Sequence, residues 1–138
     1  MNLTAPALQL QLSPRRRADD EDWCRVQVVA SAVGFAADFE AWLQTSDLER
    51  FAQELDAMYR SVGAPGTATL SSAEPNIYLE FSMQRLGGVT GKYMLQGEAE
   101  AGGSSTLAGT LEADQSFLPA IRESVLTLVS QLRQPNAA

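Results

Sequence analysis

The sequence predicts an α+β fold: a two-layer sandwich of one curved antiparallel sheet, six or seven strands wide, with two helices on one face. Three observations predict it. Most of the chain alternates apolar and polar residues at period two, the pattern of strands with one buried face. Two stretches instead repeat at three and four, as amphipathic helices do. The strands follow one another through short glycine turns rather than helical crossovers, so the expected order is βββαββββα with antiparallel pairing. A length of 138 residues suits one domain over 1–138. Residues 1–22 read as a short strand plus a charged loop, and residues 134–138 as a frayed tail.

Leu8, Leu10 and Leu12 alternate with Gln9 and Gln11, a strand that Ser13 and Pro14 end. Arg15, Arg16 and Arg17 then meet Asp19, Asp20, Glu21 and Asp22, which predicts an exposed loop whose acids cancel the field of the arginines. From Trp23, one face carries Cys24, Val26, Val28, Ala30 and Ala32. Gly34 interrupts, and Phe35, Ala37, Phe39, Ala41 and Leu43 then alternate with Ala36, Asp38, Glu40 and Trp42. These are two strands joined by a tight turn or a bend.

Ser46, with Glu49 three residues on, has capping-box spacing at the start of a helix. Leu48, Phe51, Ala52, Leu55, Met58, Tyr59 and Val62 form its apolar stripe, Gly63 suits the C′ position and Pro65 stops it. Strand follows strand thereafter. Thr67–Leu70 is short, Ile77, Leu79, Phe81 and Met83 alternate strictly, and Gly87-Gly88 marks a hairpin. Val89, Gly91, Tyr93 and Leu95 answer on the next strand. After the loop 101–105, Leu107, Gly109 and Leu111 mark the last one. Asp114 is the expected cap of the final helix, with the stripe Phe117, Leu118, Ile121, Val125, Leu128, Val129 and Leu132. Pro119, five residues past that cap, signals a short preceding turn or a kink.

Composition excludes much chemistry. There is no histidine, so the commonest general base and metal ligand are missing. One cysteine allows neither an internal disulfide nor a multi-cysteine zinc site. Cys24 lies in an apolar alternation, reads as a small core residue, and fits a reducing cytoplasm. Met1–Leu12 has no secretory pattern, and no apolar run is long enough to cross a membrane. Lys92, the only lysine, lies mid-strand on a polar face, a poor place for a Ser–Lys dyad. Asp19–Asp22 lacks the glycine and alternating ligands of a calcium loop, so no metal is expected. No glycine-rich phosphate cradle is present, so no cofactor is expected either.

The net charge is −7 and the isoelectric point near 4.5, which disfavours nucleic acid and anionic membranes as partners. Residues 19–56 hold ten acids and two bases, a local charge of −8. Such a stretch is either a solvated surface or a docking face for a basic protein. Trp42 shares a strand face with Asp38 and Glu40. That face is either covered by a loop or forms an aromatic patch rimmed by acids, as binding hot spots do. Asp38, Glu40, Trp42, Asp20, Glu21 and Asp22 are therefore the candidate partner-binding residues, and none is a candidate for catalysis.

Three segments carry a family resemblance. One runs from Val33-Gly34-Phe35 through an acidic strand to Asp47-Leu48-x-x-Phe51-x-x-x-Leu55. The second is the hairpin at Gly87-Gly88. The third is Leu111-Glu112-Ala113-Asp114-Gln115-Ser116-Phe117-Leu118. Together, over about residues 24–132, they resemble the WapI-type bacterial immunity proteins and related uncharacterised small bacterial domains, with no counterpart for residues 1–22. The resemblance implies a non-enzymatic protein that neutralises a toxin, often a nuclease, whose basic face an acidic surface would meet. Two other readings stay open. One is a small-molecule module, with Gly91 and Gly109 leaving room for a ligand between sheet and helices. The other is a homo-oligomeric structural subunit joined through Trp23, Trp42 and open sheet edges, so monomer and homodimer are both open.

Overall fold

A computed structural model describes residues 1–61, 66–72, 74 and 76–134. The expectations placed on Val62, Gly63 and Pro65, and on the tail from residue 135, lie outside the described residues. The chain forms β1 (Asn2–Ala5), β2 (Leu8–Arg16), β3 (Trp23–Ala32), β4 (Phe35–Gln44), α1 (Thr45–Arg60), β5 (Gly66–Ser71), β6 (Ile77–Met83), β7 (Gly88–Glu98), β8 (Ser104–Asp114) and α2 (Phe117–Arg133). The α+β class and the antiparallel pairing are as expected; the single sheet is not. There are two four-stranded sheets, ordered β1-β2-β3-β4 and β5-β6-β7-β8. Each is a meander followed by a helix, so the chain runs through ββββα twice.

Each helix packs on the sheet it does not follow. α1 leaves the first sheet but packs beside β5, the edge of the second. There Glu54 Oε1 accepts a bond from the Thr69 N–H at 2.9 Å. α2 leaves the second sheet and packs on β1 and β2 of the first. There Ser124 Oγ accepts from the Asn2 N–H, and the Leu132 carbonyl accepts from the Ala18 N–H at 2.9 Å. The outer edges β1 and β5 are thus covered by helices, which also pack on each other, while the other two edges, β4 and β8, come near each other without pairing. The additional strand β1 comes from Asn2–Ala5, paired with Leu8–Gln11.

Period two places the inner residues as expected. Leu8, Leu10, Leu12, Cys24, Val26, Val28, Ala41 and Leu43 from the first sheet are buried with Leu70, Ile77, Leu79, Phe81, Tyr93, Leu95 and Leu111 from the second. Phe51 of α1 lies 5.9 Å from Phe81, whose ring meets Phe117 edge-on at 5.7 Å. The β3–β4 turn is made at Gly34, with φ +79°, a conformation glycine adopts without a Cβ penalty.

Three local expectations shift. α1 begins at Thr45, and its box is formed by Asp47, whose Oδ2 accepts from the Gln44 N–H at 3.3 Å, rather than by Ser46 and Glu49. Asp114 does not cap α2; its carboxylate accepts from the Ser116 N–H at 2.8 Å and closes the turn before the helix. Pro119 is therefore the third helical residue, inside the first turn, where a missing N–H removes no helical hydrogen bond.

Candidate functional site

Alternation turns Asp38, Glu40 and Trp42 of β4 outward, as expected, but the register sets basic residues among them. Arg25 lies opposite Trp42, Gln27 opposite Glu40 and Val29 opposite Asp38. Arg25 Nη1 is 3.3 Å from Glu40 Oε2, and Arg15 Nε is 3.9 Å from Glu40 Oε1. The Arg25 guanidinium lies 4.3 Å from the centre of the Trp42 ring, and that of Arg16 lies 5.5 Å from it. A register irregularity between Pro14 and Arg16 sets Arg16 opposite Arg25. Arg15 and Arg16 thus belong to β2, not to the loop, and they meet Glu40 and Trp42 rather than the loop acids. Each exposed ion pair contributes about 0–1 kcal/mol and each exposed cation–π contact about 0.5–1 kcal/mol. The face is of mixed charge. Asp38 alone of its three residues meets no cation within it; its carboxylate accepts from Gln27 Nε2.

The acidic loop divides by role. Asp19 Oδ1 accepts from the N–H groups of Glu21 and Trp23 at 2.9 and 3.0 Å and shapes the turn. Asp20 and Glu21 keep exposed side chains. Asp22, at φ 67°, turns back onto α1, where Oδ2 accepts from the Ser46 N–H at 2.9 Å and Oδ1 from the Thr45 hydroxyl. The Thr45 oxygen in turn accepts from Arg133 Nη2 and Nε at 2.9 and 3.1 Å, and Arg133 also pairs with Glu49. Partial burial opposes the charge on Asp22. The bonds from Thr45 and Ser46 and the Arg133 charge outweigh it, so the carboxyl sits below its ordinary value. Asp22 is tied to the fold, joining the β2–β3 loop to both helices. Thr45 and Arg133 are 88 positions apart, which no local pattern could link.

A groove of about 650 Å³ lies between the β4 strand and the β7–β8 turn. Phe35, Ala37, Phe39, Leu95 and Leu107 supply apolar walls, while Asp38 and Glu98 stand among the polar ones. No lysine or arginine lines it. Phe35 is 68% exposed and Val33, beside it at the turn, 78%. Gly97 lets the Phe39 ring come close, since a Cβ there would be 3.3 Å from it. The sequence signal for this site was the run Val33-Gly34-Phe35, two large apolar residues flanking a hairpin glycine.

The expected room at Gly91 and Gly109 is filled. A Cβ on Gly91 would lie 2.8 Å from the Phe81 ring and 2.9 Å from Leu111; one on Gly109 would lie 2.5 Å from the Tyr93 hydroxyl. These glycines admit the protein's own side chains, not a ligand. Cys24 is buried, its Sγ–H donates to the Leu43 carbonyl at 3.1 Å, and burial together with the Asp22, Asp47 and Asp19 charges pushes its thiol up to about 12. Among the described residues, no group of three or more His, Cys, Asp and Glu could hold a metal ion, and no helix is long and apolar enough to cross a membrane.

The family model described as the immunity protein WapI-like family matches residues 4–133. That span includes most of the N-terminal hairpin and the charged loop, for which no counterpart was expected. No curated protein matches the chain.

Proposed function

We propose a function from one premise: the chain belongs to the immunity protein WapI-like family. The protein binds a toxin through an acidic surface and neutralises it without catalysing a reaction. The toxin is a basic protein, and a nuclease is the class that fits best, because a surface built to hold phosphates is itself basic. Family membership over nearly the whole chain carries this reading, and a local charge of −8 over residues 19–56 agrees with it in sign. The contacts divide the work. Asp20 and Glu21 offer exposed carboxylates, and Asp38 one held only by the neutral Gln27 amide. Glu40 and Trp42 offer a mixed face that arginines hold in place. Asp22 holds α1 and the loop in position.

Capture on the tagged chain from its host, at low and at moderate salt, tests this. A basic protein retained at low salt, depleted at moderate salt and toxic unless this chain is co-expressed supports it. A partner that is retained equally at both salts, or whose toxicity co-expression leaves untouched, overturns it.

A further inference from the structure

We propose that the groove between β4 and the β7–β8 turn is the docking site, and that it takes a basic loop of the partner carrying an apolar or aromatic side chain flanked by arginine or lysine. This rests on the protein-binding reading above and narrows it to one surface. At about 650 Å³ the groove falls in the range of roughly 300–1,000 Å³ typical of pockets that enclose a ligand group.

The apolar part of the occupant follows from Phe35, which lines the groove yet stays 68% exposed, with Val33, 78% exposed, just across the Gly34 turn. Large apolar side chains left in water beside a concave apolar wall are what partner anchors cover. The basic part follows from charge. Glu40 is occupied by Arg15 and Arg25, and Asp22 by Thr45, Ser46 and Arg133. Asp38, whose carboxylate accepts only from the neutral Gln27 amide, and Glu98 both line the groove and form no ion pair among the described residues, and no cation lines it. An arginine brought there meets carboxylates at the margin of apolar surface, where displaced water screens them less and charge-assisted bonds strengthen. β4 and β8, both at the groove, each have a strand neighbour on one side only, so backbone groups are also on offer to a loop.

The test is amide chemical-shift mapping of the full chain at low salt, with an amidated peptide of alternating arginine and tryptophan as probe and its glutamate-for-arginine counterpart as control. Shifts confined to residues 33–39 and 97–107 are expected with the basic peptide and none with the acidic one. The isosteric double change Asp38→Asn with Glu98→Gln, and separately Phe35→Ser, should each weaken the basic peptide about tenfold or more. Both variants alter exposed side chains, and unchanged amide spectra elsewhere confirm that they fold. Shifts centred on Trp42 and Arg25 would overturn the groove while leaving a basic partner in place. Equal binding of both peptides, no binding, or insensitivity to the double change would also overturn it. The salt-dependent capture described above then decides separately whether the partner is basic at all.

Discussion

Gly91→Ala tests whether the space between the layers is filled by the protein itself. Gly91 has an ordinary strand conformation, so backbone entropy alone favours alanine by about 0.4–1 kcal/mol. Against this, the new methyl lies 2.8 Å from Phe81 Cδ1 and 2.9 Å from both Phe81 Cε1 and Leu111 Cγ. Phe81 is fully buried, stacked near Phe51 and edge-on to Phe117, so its ring cannot swing away without disturbing two neighbours. Overpacking of this kind costs about 1–3 kcal/mol, so a net loss of about 1–2 kcal/mol is expected. For a chain of this length that lowers Tm by roughly 3–8 °C. Urea unfolding should show a lower midpoint with unchanged slope. In a double-mutant cycle, Phe81→Leu should relieve the Gly91→Ala loss by at least about 0.5 kcal/mol, because the two changes compete for the same volume. A neutral or stabilising Gly91→Ala, or strictly additive changes, would refute the packing account and reopen a ligand cavity between the layers.

Asp22→Gly keeps the left-handed backbone but removes the cap on α1, and should cost about 0.5–2 kcal/mol in urea unfolding. Because the Asp22 carboxyl is lowered in the folded state, its contribution is present above the ordinary carboxylate value of 3.8 and is lost as pH falls through the lower folded value. Asp22→Asn should therefore lose less stability than the wild type between neutral pH and acid below that range; a parallel acid profile would contradict this. Cys24, with its thiol pushed up to about 12, should resist alkylation at pH 8 in the native state and react fully in denaturant, as thiol titration would show. Trp42→Ala should cost the fold about 1–3 kcal/mol, the loss of two exposed cation–π contacts plus partial burial, so a larger loss in unfolding experiments would mean that Trp42 anchors the sheet.

Local signals were legible in the chain and long-range ones were not. Alternation along Cys24–Ala30, Ala41–Leu43 and Ile77–Met83 set which side chains face inward, and the three–four repeat at Leu48–Met58 set the buried face of α1. These depend only on backbone periodicity, so they were readable. The outward placement of Asp38, Glu40 and Trp42 was readable for the same reason. Their neighbours were not. That Arg25 and Arg16 flank Trp42, that Asp22 caps a helix 24 residues ahead, and that Arg133 reaches Thr45 are matters of register and long-range packing.

The sequence by itself determined both helices, most of the strands, the inner faces, the hairpin turns and the acidic balance, because each follows from residue chemistry over a few positions. Only the tertiary structure decided that the strands form two sheets rather than one. Period two says which face is buried but not which edges pair, and here helices cover β1 and β5 while β4 and β8 come near each other without pairing. Tertiary structure also decided which acids are available. A carboxylate's charge is the same wherever it lies in the chain, but its freedom to meet a partner depends on the cations that folding brings beside it. Folding spends Glu40 and Asp22 on arginines and a helix terminus, and leaves Asp38 and Glu98 at an apolar groove that local sequence could not outline.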